Sequence, residues 1–155
     1  VSYQYVQNDS GDGMVTTFGN GVKMILARGN QYWHGSCGER FDGPEGWVAA
    51  ADGYSKPDAS SIKLLGEFKR VIGEYVARTG RSLDHMRDFL DCVKSRRTTV
   101  ANPLVMHRSM LTVHAANICM WLKRDLKFDP IKEVFINDDE ANRMRSRAMR
   151  EPWTY

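Results

Sequence analysis

His107-Arg108 and Asp84-His85 are the pairs in this sequence whose types suit polar recognition. Each falls in the first turn of an expected helix. A histidine near a helix N-terminus tends to stay neutral, and a neutral ring can hydrogen-bond a substrate hydroxyl. Arg108 adds a planar fork that fits a carboxylate, whether of the protein or of a ligand. The more ordinary role of such pairs is to anchor a loop-to-helix junction, and residue chemistry leaves both roles open. Trp33 offers a ring face to a sugar, although Tyr32, Trp33 and Trp47 are hydrophobic anchors first. His34 stands three residues before Cys37, an H-x-x-C spacing. A zinc site needs three or four converging ligands, usually in paired short spacings, and only one such pair exists, so no metal is expected. Cys92 and Cys119 fall on apolar helix stripes, where a free thiol behaves as a small hydrophobe. His114 falls mid-helix among apolar residues and reads as a core or interface histidine. No nucleophile with its base, no carboxylate pair and no catalytic set is visible. Residue chemistry alone therefore describes an accessory or binding domain.

The elements that must position these residues come in two textures. Up to about residue 55 the chain is rich in Gly, Thr, Val and aromatics, with short β-prone runs between turns. Residues 14–18 read as one strand and 22–27 as the next, because Gly19-Asn20-Gly21 supplies the positive φ that a tight hairpin needs. Weaker strands are expected near 37–41 and 47–51, joined by the turn chemistry of Asp42-Gly43-Pro44-Glu45-Gly46. From about Ser60 the chain is helical. Leu65, Phe68, Ile72, Tyr75 and Val76 follow helix spacing up to Gly80, with 62–65 open to a short strand instead. Ser82 can cap a second helix whose apolar stripe is Leu83, Met86, Phe89, Leu90 and Val93. Asn102-Pro103 opens a third, apolar all round from Val105 to Leu122, as a buried helix is. Residues 138–145 read as a short fourth helix. Strands followed by helices, without β-α alternation, argue for α+β: a predominantly antiparallel open sheet with helices packed on one face. Val15, Phe18, Met24 and Leu26 can supply apolar side chains to both sheet faces, so self-association through the open face is expected.

Length and composition set the outer bounds. A chain of 155 residues reads as a single domain, 1–155, large enough to bury about two-thirds of its unfolded surface. The 22 Lys and Arg against 19 Asp and Glu leave a net charge of +3, too small to imply nucleic acid. Arg143, Arg145, Arg147 and Arg150 are interrupted by Asp138, Asp139, Glu140 and Glu151, the mark of a solvated, ion-paired face. No run approaches the ~20 apolar residues of a membrane helix. The first residues, Val1 to Val6, lack a signal peptide's basic region and apolar core. They also lack an initiator Met, which points to a fragment, a processed product or a trimmed chain. Three scattered cysteines lean towards a reducing, cytoplasmic compartment. Neither Gly11-Asp12-Gly13 nor Gly19-Asn20-Gly21 opens a G-x-G-x-x-G run between a strand and a helix, so no cofactor is expected in this chain.

Several motifs, in order, resemble one family. Asp84 to Arg96 (DHMRDFLDCVKSR) looks like the "nFldcvksR" helix of the glucose–fructose oxidoreductase and inositol dehydrogenase (Gfo/Idh/MocA) family. His107-Arg108-Ser109 with Asn117-Ile118 resembles its "ghrS…nI" helix, and Lys127-Phe128-Asp129-Pro130 its "lkwDP". Asn137 to Arg143 resembles "nDeeAnrl", and Met149-Arg150-Glu151-Pro152-Trp153 the terminal "yRePW". Upstream, Asn20-Gly21-Val22 and Gly43 to Val48 resemble the sheet motifs "nGv" and "GteGWi". Residues 62–81 match least. The resemblance implies the C-terminal α+β domain of an NAD(P)-dependent oxidoreductase acting on a sugar, cyclitol or related polyol. Its partners would be its own N-terminal Rossmann domain, which holds NAD or NADP, further copies of itself, and a small sugar-like substrate. The family's E-K-P lysine belongs to that first domain, and its D-x-x-x-H pair would precede Val1, so no catalytic residue carries over. The polar contacts expected here are His34, His85, His107 and Arg108, with Trp33 packing on the ring. The isolated chain is expected to be inactive. The alternative is a stand-alone ligand-binding or interaction module without redox activity.

Overall fold

The computed structural model describes residues 1–8, 11–26, 38–51 and 57–153. The chain divides into two compact units, Val1–Arg28 with Pro103–Tyr155, and Gly29–Asn102. Antiparallel sheets and four helices among the described residues make the fold α+β, as the order of textures implies. No helix among the described residues is long and apolar enough to cross a membrane.

The first unit is a five-stranded sheet covered on one face by a long helix. Its strands are β1 (Ser2–Asn8), β2 (Gly11–Thr17) and β3 (Lys23–Leu26), then β7 (Leu126–Asp129) and β8 (Val134–Phe135). Their order is β3-β2-β1-β7-β8. The β2–β3 hairpin has the turn expected at 19–21: Gly21 takes φ +83, its N–H donates to the Phe18 carbonyl, and Asn20 caps the Val22 N–H. Register places Tyr3 opposite Thr16 and Leu126, Tyr5 opposite Met14, and Met14 opposite Leu26. Strand alternation turns that set to one face. There it meets α3 (Pro103–Leu122), which packs on β1 and β2. The core is Tyr3, Met14, Ala115, Ala116, Ile118, Cys119, Leu126, Phe128, Phe135 and Ala141. Ser2, Gln4, Val6, Val15, Thr17 and Ile25 alternate with that set and line the other face, where Ile25 is half exposed.

Helix α3 departs from the expectation of burial all round. Its buried residues are Ala115, Ala116, Ile118 and Cys119, all in its C-terminal half, whereas Val105, Met106, Met110, Val113 and Trp121 are exposed. Small side chains decide this, because three of the four let the helix backbone lie close to the sheet. His114 is exposed rather than a core histidine.

The second unit holds a three-stranded sheet, β4 (Gly38–Gly43), β5 (Gly46–Ala51) and β6 (Asp58–Ala59), with α1 (Ile62–Thr79) and α2 (His85–Ser95). Residues 62–65 are helix, not strand: Ser61 caps α1 by accepting the Leu64 N–H, and Gly80 ends it at φ +60. The cap of α2 is Asp84, accepting the Arg87 N–H at 2.8 Å, while Ser82 accepts the Asp84 N–H one step earlier.

Helix α2 also turns the other way from its pattern. The stripe Leu83, Met86, Phe89, Leu90 and Val93 is exposed, and the buried residues are Asp88 and Cys92. Asp88 accepts the Val100 N–H at 3.0 Å and Arg81 Nη1 at 2.9 Å, and Arg81 Nη2 donates to the Thr98 carbonyl at 2.8 Å. The Val100 N–H, with the Arg81 guanidinium beside it, holds Asp88 below the usual carboxylate range. The carboxylate thus ties the segment after α2 back onto the helix, and so the polar side faces inward.

Candidate functional site

Among the described residues the sequence-derived candidates fall in two places. His107 and Arg108 are the fifth and sixth residues of α3, in its second turn rather than its first, and both are exposed. His85 opens α2 in the other unit and is exposed. His107 and Arg108 are neighbours along α3, about 100° apart around the helix, and His85 belongs to the other unit, so the structure shows no convergence of the candidate side chains. His34 and Trp33 lie outside the described residues, as do Tyr32 and Cys37. Asp84 serves as the α2 cap, the junction role considered above. One face of the Trp47 ring is taken by the Arg40 guanidinium, 4.8 Å from the ring centroid, and Arg40 is itself paired with Asp42.

His107 has a partner that sequence reading missed. Its Nε2 lies 2.7 Å from Oε1 of Glu133. An ionised carboxylate only accepts, so Nε2 carries the hydrogen. Glu133 ends the loop between β7 and β8, at φ +57. Asp129 shapes that loop by accepting the N–H groups of Ile131 at 2.9 Å and Lys132 at 3.1 Å. Arg145 donates to the Glu133 carbonyl. Arg108 makes no hydrogen bond or ion pair among the described residues and is free for an anionic or hydroxyl-rich ligand. The neighbouring Asx-type turn at Asp129-Pro130 was the available signal for this loop, but nothing local in the sequence points from residue 133 to residue 107.

Two further polar groups support the unit without facing a site. Arg124 pairs with Asp138 and, at 2.9 Å, with Glu140. Arg124, together with the Ala141 N–H, holds Asp138 down at about 2. Cys119 is fully buried and its thiol donates to the Arg124 carbonyl at 3.1 Å. Burial, then the nearby Asp125 charge, pushes that thiol up to about 11 from an ordinary 9.0. The thiolate is the reactive form, so two pH units reduce it about 100-fold at pH 8. Mass spectrometry after iodoacetamide treatment should find Cys119 alkylated at least that much more slowly in the native than in the urea-unfolded chain. The folded state holds this proton more tightly, so its contribution to stability is complete below about pH 9 and is lost as pH rises towards 11. Equal labelling rates in the two states would contradict the burial.

Cofactor and metal positions follow from the same geometry. Gly11 and Gly13 sit inside β2 and Gly19-Asn20-Gly21 turns a hairpin, so neither glycine pair cradles a pyrophosphate at a helix N-terminus. These residues do not fit a dinucleotide. Among the described residues no group of three His, Cys, Asp or Glu could hold a metal ion. A shallow apolar cavity of about 300 Å³ lies against α1, lined by Pro57, Leu65, Phe68, Lys69 and Ile72, and none of the candidate residues lines it.

No curated protein and no solved structure matches the chain. One family model does match, that of the oxidoreductase family, C-terminal alpha/beta domain, over residues 16–155. That span includes the β4–β5 hairpin, the four helices among the described residues and the His107–Glu133 pair, and it agrees with the ordered motifs. The chain belongs to the C-terminal alpha/beta domain family of the Gfo/Idh/MocA oxidoreductases.

Proposed function

We propose that this chain is the substrate-side domain of an NAD(P)-dependent oxidoreductase acting on a sugar, a cyclitol or a related polyol. The observation that carries the reading is the family match over residues 16–155. The dinucleotide and the catalytic base belong to a Rossmann domain that acts with it, consistent with glycines here that serve strand and turn. The nicotinamide, when bound by that domain, accepts a hydride from the carbinol carbon. The residues of this chain orient the ring, His107 and Arg108 by hydrogen bonds from α3. Orientation of this kind supplies much of the rate in a two-substrate transfer. The open sheet face, where Val15 and Ile25 sit among Ser2, Gln4 and Thr17, is the surface through which copies associate. Free thiols at Cys92 and Cys119 suit a reducing, cytoplasmic compartment.

Calorimetry separates this reading from a self-contained enzyme. The isolated 155-residue chain should show no binding of NAD+ or NADP+, whereas the protein with its Rossmann domain should bind one of them and reduce it in the presence of a polyol. A low-micromolar dissociation constant for the isolated chain, about −8 kcal/mol, would refute the reading. A monomeric mass by light scattering at high concentration would remove the association.

A further inference from the structure

Glu133 occupies a position that its side chain does not suit. Four residues, Pro130 to Glu133, join β7 to β8, whose register pairs Asp129 with Val134. The last of the four is left-handed, at φ +57. Gly and Asn are the low-cost occupants of such a position, and a Cβ-bearing, straight-chain residue is strained there. The strain is held from both sides. The Asp129 carboxylate fixes the N–H groups of the turn, and Arg145 holds the Glu133 carbonyl. The outcome is a carboxylate 2.7 Å from His107 Nε2, with both side chains about half exposed. An ion pair this exposed adds little stability, so stability does not explain why glutamate sits at a glycine position. Arg96 and Lys123 are left-handed as well, but each directly follows a helix, where such a residue ends the last turn; Glu133 follows no helix, and its side chain ends on His107.

We propose that Glu133 is a positioning residue: by accepting the Nε2 hydrogen of His107, it fixes the imidazole and leaves Nδ1 as the nitrogen that meets a substrate hydroxyl. The inference rests on the reading of this chain as a substrate-side domain. It adds the residue that sets the tautomer, which in turn sets whether the ring accepts or donates towards the ligand. Arg108, adjacent on α3 and without a partner among the described residues, is the donor that completes a pair of contacts to neighbouring hydroxyls.

Two variants test this. Glu133→Gly relieves the left-handed strain and removes the carboxylate; Glu133→Gln keeps an acceptor oxygen at the same reach. In the ¹⁵N-labelled 155-residue chain, ring-nitrogen NMR should show His107 as a single tautomer protonated at Nε2. That tautomer should become a mixture in Glu133→Gly and largely return in Glu133→Gln, while the melting temperature of Glu133→Gly stays equal or rises. In the enzyme with its Rossmann domain, Glu133→Gly should raise the KM for myo-inositol or another accepted polyol about tenfold, the scale of one misplaced hydrogen bond, with Glu133→Gln close to wild type. An unchanged tautomer in Glu133→Gly, a fall in its melting temperature, or an unchanged KM in an active enzyme each overturns the inference. A wild-type enzyme that oxidises no polyol refutes the functional reading instead, and the tautomer result still decides the clamp.

Discussion

Replacing Gly46 by alanine is expected to destabilise the Gly29–Asn102 unit by about 3 kcal/mol, and replacing it by valine by more. Two independent causes act at this position. Its φ of +133 is one that residues with a Cβ rarely adopt. A Cβ built there would also stand 2.1 Å from Ser60 Oγ and 2.9 Å from Leu64 Cδ1. Ser60 cannot retreat without cost. Its Oγ accepts the Trp47 N–H at 3.0 Å and its own N–H donates to the Trp47 carbonyl at 2.9 Å. Gly46 therefore lets the start of α1 close on β5, and Ser61 beside it caps the helix. Two other glycines give the contrast. At Gly43 the nearest atom to a new Cβ is 3.8 Å away, so Gly43→Ala should cost less than about 1 kcal/mol. At Gly73, inside α1, a Cβ meets nothing within 4 Å, and Gly73→Ala should stabilise by about 0.5–1 kcal/mol. Urea melts of the three variants should rank in that order. A Gly46→Ala protein that melts with the wild type would show that α1 does not close on β5 at this glycine.

The Gly46 case shows what sequence can carry. The Gly-Pro-Glu-Gly-Trp turn announced itself because turn chemistry is local, and the same is true of the 19–21 hairpin and of Gly80 at the end of α1. The elements that escaped notice are those decided by distant partners. Strand β1 is flanked by β2 and by β7, more than a hundred residues later, and nothing in residues 2–8 alone reports β7. Helix α2 displays an apolar stripe at the spacing of a core face, yet Asp88 is the side chain that is buried. Which face turns inward was settled by Arg81, seven residues before it, and Val100, twelve after. Helix α3 is apolar on every side, so periodicity could not choose its buried face, and the small residues at 115, 116 and 119 did. The candidate site divides along the same line. His107 and Arg108 were legible as types suited to recognition, whereas Glu133 was not, because its role lies in a strained turn and a contact across 26 residues.

Removing the Phe135 ring should have the largest effect on the other unit, since β8 is only two residues long and lives on borrowed contacts. Phe135 is 2 % exposed and packs edge-on against Phe128, with ring centroids 5.1 Å apart; Phe128 in turn meets Tyr3 at 6.4 Å. Truncating a ring so enclosed costs about 3–5 kcal/mol, from lost transfer energy and from the cavity left behind. A strand this short has few ladder bonds, and a side chain supplies the missing ones. The Asn142 amide accepts the Phe135 N–H at 2.9 Å and donates to the Phe135 carbonyl at 2.8 Å, as an adjacent strand would. Asn142→Ala leaves both backbone groups without that partner, a loss of about 1–3 kcal/mol. The two side chains hold the same residue from opposite directions, so their losses should not add: once the ring is gone, the amide has less to hold. A double-mutant cycle on Phe135→Ala and Asn142→Ala should therefore show a coupling of about 1 kcal/mol. Simple additivity would mean that β8 is held by its ladder after all, and that Asn142, inside the short helix Asp139–Arg143, does not hold it. A Phe135→Ala protein as stable as the wild type would mean that this ring is not part of the core beneath α3.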